Sequence, residues 1–153
     1  MTITEVKQDL FTVPKDYILV HCVSADFAMG AGIAKEFTKR GVKDYLLTDV
    51  ITLIPEKERV GKCVVSFETG WVAEFNLITK EKYWHKPTYD TLRKSLLSAK
   101  KVIVSLDDRY SEIVKLAMPK IGCGLDKLSW SKVKTIIEEV FADANIEILV
   151  CSI

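Results

Sequence analysis

The stretch YILVHCVSADFAMGAGIAKEFTKR, residues 17–40, contains a strand pattern, a glycine turn and a helix pattern in that order. Tyr17 to Val23 is nearly continuous in apolar residues, which favours a strand buried on both faces of a helix-covered sheet. Gly30 and Gly32 predict a tight turn after this strand. The apolar spacing from Ala31 to Arg40 then predicts a helix. A strand that leads through a glycine turn into a helix is typical of an α/β domain.

The rest of the chain repeats this alternation of strands and helices. Strand patterns occur at Ile3–Val6, Lys62–Phe67, Val72–Ile78, Ile113–Met118 and Ile146–Ile153. Helix patterns occur at Val42–Asp49, in a long stretch from about Thr88 with an apolar stripe, and after a potential Ser129 cap. The two middle strands are close enough in sequence to form a hairpin. We therefore predict one domain, residues 1–153, with a three-layer α/β/α architecture and a mixed, mostly parallel six-stranded sheet.

Composition limits the classes of function. The 153 residues are 48% apolar and 28% charged, and the net charge is +1, so no global charge favours nucleic acid. No apolar run approaches membrane-spanning length, and the first residues lack a signal-peptide layout. The four cysteines have no metal-ligand spacing. We expect a monomeric, cytoplasmic protein with reduced cysteines, no metal and no cofactor.

A second glycine segment, KIGCGLD at 120–126, also follows a predicted strand and precedes a predicted helix. A glycine turn at a helix N-terminus presents unpaired N–H groups, which bind phosphate readily. Two such turns at the carboxyl ends of strands can face one crevice, and together they indicate a ligand with two phosphates. Neither segment has the third glycine of a dinucleotide fingerprint or the Lys-Ser/Thr of a P-loop. The alternative is that both serve only as tight turns.

Several polar residues near these turns have both a chemical and a structural interpretation. Lys80, at the end of a predicted strand, is either a solvated side chain or a nucleophile beside a carboxylate. Asp126 follows the second glycine turn and is either a helix cap or a proton carrier. Asp9 is either a turn residue or an acceptor for an adenine amino group. His85 fits a structural or surface histidine, and Cys123 fits a buried thiol rather than a nucleophile.

Five segments together resemble the macrodomain family. They are QDLF at 8–11, HCVSADFAMGAGIAKEF at 21–37, LITK at 77–80, HKPTYDTLRKSL at 85–96 and MPKIGCGLD at 118–126. The similarity extends from the first strand to the last and is weakest between about 45 and 75. LITK followed by IGCGLD is most similar to the branch of terminal ADP-ribose protein glycohydrolases. The resemblance implies a macrodomain fold.

The same resemblance implies roles for individual residues. Lys80 matches the lysine that attacks the anomeric carbon of the distal ribose, and Asp126 matches the aspartate that assists and then resolves the lysine adduct. Asp9 and the backbone of Leu10 match the adenine site. The ADP-ribose-binding positions implied in addition are Val23, Gly30, Ala31, Gly32, Ile33, Pro119, Ile121, Gly122, Cys123, Gly124 and Leu125.

The implied activity is hydrolysis of mono-ADP-ribose esters on glutamate or aspartate of modified proteins, with ADP-ribose and mono-ADP-ribosylated protein as partners. One alternative is a module that binds ADP-ribose without catalysis. Another alternative is an enzyme that removes ADP-ribose from DNA. The seven basic and two acidic residues between 80 and 101 would suit a DNA substrate, but the nearly neutral net charge of the chain does not favour it. Deacetylation of O-acetyl-ADP-ribose is a potential side activity of the same pocket.

Overall fold

The structure, a computed structural model, describes residues 1–107 and 113–153. Within these ranges the chain forms six strands and four α-helices. The strands are β1 (Thr2–Lys7), β2 (Ile18–Ser24), β3 (Cys63–Ser66), β4 (Ala73–Lys80), β5 (Val114–Met118) and β6 (Ile146–Ser152). The helices are α1 (Ala34–Lys39), α2 (Val42–Tyr45), α3 (Tyr89–Asp107) and α4 (Trp130–Val140). No helix in the described ranges has both the length and the apolar character to cross a membrane.

The six strands form one sheet in the order β1-β6-β5-β2-β4-β3. Every neighbouring pair is parallel except β3 and β4, which form the predicted antiparallel hairpin. The central strand β2 pairs with β4 on one side and with β5 on the other. The predicted mixed, mostly parallel six-stranded sheet is therefore confirmed.

Each face of the sheet is covered by its own helices. On one face the predicted stripe of α3, from Leu92 to Ile103, packs with α4 in a core that includes Ile18 and Val20 of β2. On the other face Phe37 of α1 packs with α2 in a second core that includes Leu19 of β2. Because helices cover both faces, β2 has to be apolar at successive positions. The continuous apolar pattern of residues 17–23 is thus explained by the three layers.

The helix after the first glycine segment starts later than the sequence predicts, whereas the helix after the second starts directly after Ser129 as predicted. Helix α1 begins at Ala34 rather than Ala31, because Gly32 has a left-handed φ of 59° that a helix cannot contain. Helix α4 begins at Trp130, so the second glycine segment continues into a turn instead of entering a helix directly. Ser129 precedes α4 as expected, but its hydroxyl lies 3.1 Å from the Ser131 hydroxyl and does not cap the helix.

A buried histidine connects β2 to the hairpin strands. The Nε2 atom of His21 lies 2.6 Å from Oδ1 of Asn76, and its ring stacks on Phe37 with 3.7 Å between the ring centroids. The Asn76 amide also donates to the carbonyl of Val64 and to the hydroxyl of Ser66. Burial lowers the pKa of His21 to about 4, because the charged ring would lose its hydration inside the core.

We expect His21 to make the fold sensitive to mild acid. The unfolded chain takes up a proton near the ordinary histidine pKa of 6.5, whereas folded His21 resists protonation until about pH 4. Stability should therefore fall as the pH drops through this interval, by about 3 kcal/mol from this group. Chemical denaturation of the parent and of His21→Gln between pH 7 and pH 4 measures the difference in slope. His85→Gln, which alters the exposed histidine, is the control, and equal slopes for all three proteins would contradict the prediction.

Candidate active site

A cavity of about 600 Å³ lies where strands β2, β4 and β5 end. Parallel strands place their carboxyl ends at one edge of the sheet, and crevices of α/β sheets at this edge bind ligands. The end of β2 contributes Cys22, Val23 and Ser24, and the end of β4 contributes Lys80. The two glycine segments and their neighbours supply most of the remaining wall. These are all residues from Ala28 to Ala34, and the residues from Pro119 to Asp126 except Cys123.

The first glycine segment presents backbone amides to this cavity. Met29 and Gly32 have left-handed φ values of 48° and 59°, which turn the chain sharply between β2 and α1. Among the hydrogen bonds of the described residues, none has the N–H of Gly30, Ala31, Gly32 or Ile33 as donor. Unpaired amides at a turn of this kind are available to an anionic ligand.

The second glycine segment is a compact turn on the opposite wall. The N–H of Leu128 donates to the carbonyl of Gly122 at 2.8 Å, and the N–H of Cys123 donates to the carbonyl of Lys120 at 3.1 Å. Gly122 has a φ of 73°, and a Cβ at this position would lie 3.0 Å from Cδ1 of Leu128, so the turn requires glycine here. Within the described part of the chain, the amide of Gly124 donates no hydrogen bond.

The two segments approach each other closely. A Cβ added to Gly32 would lie 3.4 Å from Cδ1 of Leu125, which places the two turns side by side at the cavity. The two glycine segments therefore line one cavity from neighbouring positions. The second turn supplies its amides without a helix directly behind it, because α4 starts only at Trp130.

A lysine and a carboxylate meet in the same cavity. Lys80 is the last residue of β4, and its Nζ donates to Oδ1 of Asp126 at 2.6 Å. Both side chains are only 15% exposed. The backbone carbonyl of Lys80 accepts from the N–H of Ala25 at 2.8 Å, which fixes the end of β4 against the end of β2. Asp126 is paired with Lys80 and does not cap α4, whose N-cap residue is Ser129.

A second carboxylate, Asp26, organises the β2–α1 connection. It accepts from the hydroxyl of Ser24, from the N–H of Ala28 at 3.2 Å and from the N–H of Tyr83 at 3.1 Å. Burial by itself would raise the pKa of Asp26, but these three hydrogen bonds and the nearby charge of Lys82 lower it below its ordinary value. Asp26 is therefore charged at neutral pH and links the first glycine segment to the chain that follows Lys80.

The thiols near the cavity are poor nucleophiles. Burial, with a further contribution from the charge of Asp126, raises the pKa of Cys22 to about 12. Burial also raises the pKa of Cys123, whose Sγ donates to the carbonyl of Ile121. Because the thiolate is the reactive form, neither cysteine is activated at neutral pH. The described residues include no group of His, Cys, Asp and Glu side chains that could hold a metal ion.

Most of the residues that the sequence singled out line this one cavity. Those that do are Lys80, Asp126, Val23, Gly30, Ala31, Gly32, Ile33, Pro119, Ile121, Gly122, Gly124 and Leu125. Asp9, Leu10 and Cys123 are not part of the lining. Leu10 is buried, and Oδ1 of Asp9 accepts from the N–H of Phe11 at 2.9 Å, which is a contact typical of a turn residue.

Other lining residues were not assigned to the site from the sequence, notably Ser24, Tyr83, Lys86 and Lys120. Ser24 ends β2 directly after Val23, and Lys120 is the first residue of the second glycine segment, so both positions were an available signal. The positions of Tyr83 and Lys86 in the sequence do not indicate that they line the cavity. They reach the cavity because Asp26 holds the amide of Tyr83 and the carbonyl of Leu125 accepts from Nζ of Lys86 at 2.7 Å.

Comparison with known proteins finds relatives that match nearly all of this chain. No family model matches the chain. The chain is 43% identical over 150 residues to the ADP-ribose glycohydrolase OARD1 of Bos taurus, and 41% identical to that of Homo sapiens. Both alignments cover 97% of this chain and 90% of the relative.

Solved structures share the fold at lower identity. The macrodomain of Mycobacterium tuberculosis DarG has a TM-score of 0.80 and 22% identity, covering 99% of this chain and 98% of that one. Thermosipho africanus DarTG in complex with ADP-ribose has a TM-score of 0.74 and 18% identity, covering 99% of this chain and 42% of that one. At these identities the similarity establishes the arrangement of strands and helices.

Proposed function

The chain belongs to the macrodomain family, among the OARD1-type ADP-ribose glycohydrolases, and on that basis we propose that it removes mono-ADP-ribose from glutamate or aspartate side chains of modified proteins. The observation that carries this proposal is the contact between Lys80 and Asp126. Their 2.6 Å pair lies in the cavity that both glycine segments line, and both side chains have little exposure to water. A nucleophile and a proton carrier thus stand beside the proposed phosphate grip.

The shape and polarity of the cavity support ADP-ribose as the ligand. Unpaired amides of Gly30–Ile33 on one wall and of Gly124 on the other suit the two phosphates of a diphosphate. Asp9 lies outside the cavity lining. Among the side-chain hydrogen bonds of the described residues, Asp9 accepts one, from the Phe11 amide to its Oδ1. Its second oxygen is left to accept an adenine amino group. In this arrangement the distal ribose lies near Lys80.

The proposed reaction has two steps, which use only Lys80, Asp126 and water. Lys80 Nζ, after giving a proton to Asp126, forms a bond to the anomeric carbon of the distal ribose. The bond from that carbon to the glutamate oxygen breaks, and the glutamate leaves as a carboxylate. Asp126 next releases to solvent the proton that it took from Lys80. Water then adds to the same carbon and gives a proton to Asp126, and Nζ leaves and takes that proton, which restores the Lys80–Asp126 pair. The products are free ADP-ribose and the unmodified side chain.

The glycine segments assist by positioning. Holding the diphosphate from two sides fixes the ribose against Lys80, so that the attack becomes effectively intramolecular. A module that only binds ADP-ribose gains nothing from a lysine–carboxylate pair at this point, because burying two charges carries a desolvation penalty. The pair therefore favours an enzyme over a binding module.

A direct assay tests the proposal. We expect the protein to release free ADP-ribose from a glutamate-linked mono-ADP-ribosylated protein, with no added metal or cofactor. The measurement is separation of free ADP-ribose from protein-bound ADP-ribose over time. Binding of ADP-ribose without release would identify a binding module. Release from an ADP-ribosylated oligonucleotide but not from protein would identify a DNA-directed enzyme instead.

A further inference from the structure

An exposed group of aromatic side chains, which we call the aromatic rim, follows Lys80 in the chain. It consists of Tyr83, Trp84 and His85. Tyr83 and Trp84 are each 62% exposed and meet edge to face with 5.0 Å between their ring centroids. The ring of Trp84 also meets that of His85 at 5.4 Å. Tyr83 lines the cavity, so the rim lies at its mouth.

The rim is held by contacts that leave its aromatic faces free. The N–H of Tyr83 donates to Asp26, and the N–H of His85 donates to the carbonyl of Lys82 at 3.0 Å. On the other side, Nζ of Lys86 reaches across to the carbonyl of Leu125. The segment is thus positioned before any partner arrives, which lowers the entropy lost on binding. Contiguous exposed aromatic surface beside a pocket is typical of an interaction site.

The charges around the rim favour a polypeptide over a nucleic acid. Lys80 pairs with Asp126, Lys82 pairs with Glu56 at 2.6 Å, and Lys86 is engaged by a backbone carbonyl. Lysines that already have acceptors are less available to neutralise a phosphate backbone, which dominates the affinity of nucleic-acid-binding proteins. Tyr and Trp side chains, in contrast, are the residues that most often contribute binding energy in protein interfaces.

We propose that the aromatic rim binds the polypeptide residues flanking the modified glutamate or aspartate. This inference rests on the proposed function, because an acceptor bonded to the distal ribose beside Lys80 has to leave the cavity at its mouth. At the mouth of the cavity, the backbone of the acceptor and the side chains next to the modified residue contact Trp84 and Tyr83. The rim therefore contributes to recognition of the acceptor, whereas the glycine segments recognise ADP-ribose.

Two substrates with the same scissile bond separate these contributions. One is a mono-ADP-ribosylated polypeptide, and the other is ADP-ribosyl-glutamate without flanking residues. For Trp84→Ala we expect about a tenfold loss in kcat/KM on the polypeptide, mostly in KM, and at least fivefold less loss on ADP-ribosyl-glutamate. Trp84→Phe should recover most of the loss, because it restores an aromatic face.

Phe67→Ala is the matched control. Phe67 is 71% exposed. It directly follows Ser66, which pairs with Glu74 near the start of β4, whereas Lys80 is at the other end of that strand. This control should leave both substrates unaffected.

Several results would overturn the proposal about the rim. Equal losses of Trp84→Ala on both substrates, or no loss on either, would mean that the rim does not recognise the acceptor. A loss confined to an ADP-ribosylated oligonucleotide would assign the rim to nucleic acid. A dimer of the parent that dissociates in Trp84→Ala, measured by sedimentation velocity, would assign it to a second copy of the chain. If the parent releases nothing from either substrate, the proposed function fails first and the rim proposal with it.

Discussion

Replacing Lys80 with alanine is expected to lower the rate of ADP-ribose release by about a thousandfold or more, while the Kd for free ADP-ribose stays within about fivefold of the parent value. The proposed bond from Nζ to the ribose exists only during the reaction, so its loss affects kcat and not ground-state binding. The diphosphate contacts of the glycine segments remain in this variant. Single-turnover release and calorimetric titration with ADP-ribose measure the two quantities separately.

Two further substitutions separate nucleophilicity from charge. Lys80→Arg keeps a cation beside Asp126, but a guanidinium stays protonated and does not attack carbon, so this variant should be as inactive as Lys80→Ala. Lys82→Ala is the matched control, because Lys82 lies two residues away and pairs with Glu56 outside the cavity lining. Substantial activity in Lys80→Arg would show that Lys80 acts through its charge. A collapse of ADP-ribose affinity in Lys80→Ala would show that it is a phosphate contact.

The fold could be predicted because its constraints are local. The apolar run of β2 is determined by burial on both faces, and the stripe of α3 from Leu92 to Ile103 is determined by one buried helix face. The start of α4 after Ser129 was predicted, but the start of α1 was not. Gly32 adopts a left-handed conformation that delays α1, and this does not follow from helical periodicity.

The candidate site could be predicted only in part because its contacts are distant in sequence. Lys80 and Asp126 are 46 residues apart, and each alone had an ordinary structural interpretation. The fold brings the two residues together, because the ends of β4 and β5 are on either side of β2 and open into the same cavity. The place of Tyr83 in the cavity wall could not be assigned from the sequence, because it depends on a contact with Asp26, 57 residues away.

The roles of Lys80 and Asp126 depend on each other, and this leads to the second large expected effect. Replacing Asp126 with asparagine should lower the rate of ADP-ribose release by about a hundredfold to a thousandfold. The amide has nearly the same shape as the carboxylate, so the second glycine segment keeps its geometry. However, an amide cannot accept the proton from Lys80 or from water. The measurement is single-turnover release, with ADP-ribose affinity determined in parallel.

The double variant Lys80→Ala with Asp126→Asn tests whether the pair acts as one unit. If Asp126 works by accepting the proton of Lys80, removing both groups should be about as damaging as removing Lys80 alone, because residues that share a step are strongly non-additive. Asp143→Asn is the control, since Asp143 is exposed and pairs with Lys100 away from the cavity lining. Multiplicative losses in the double variant would mean that the two residues act in separate steps. A loss of ADP-ribose affinity as large as the loss of rate would instead make Asp126 a binding residue.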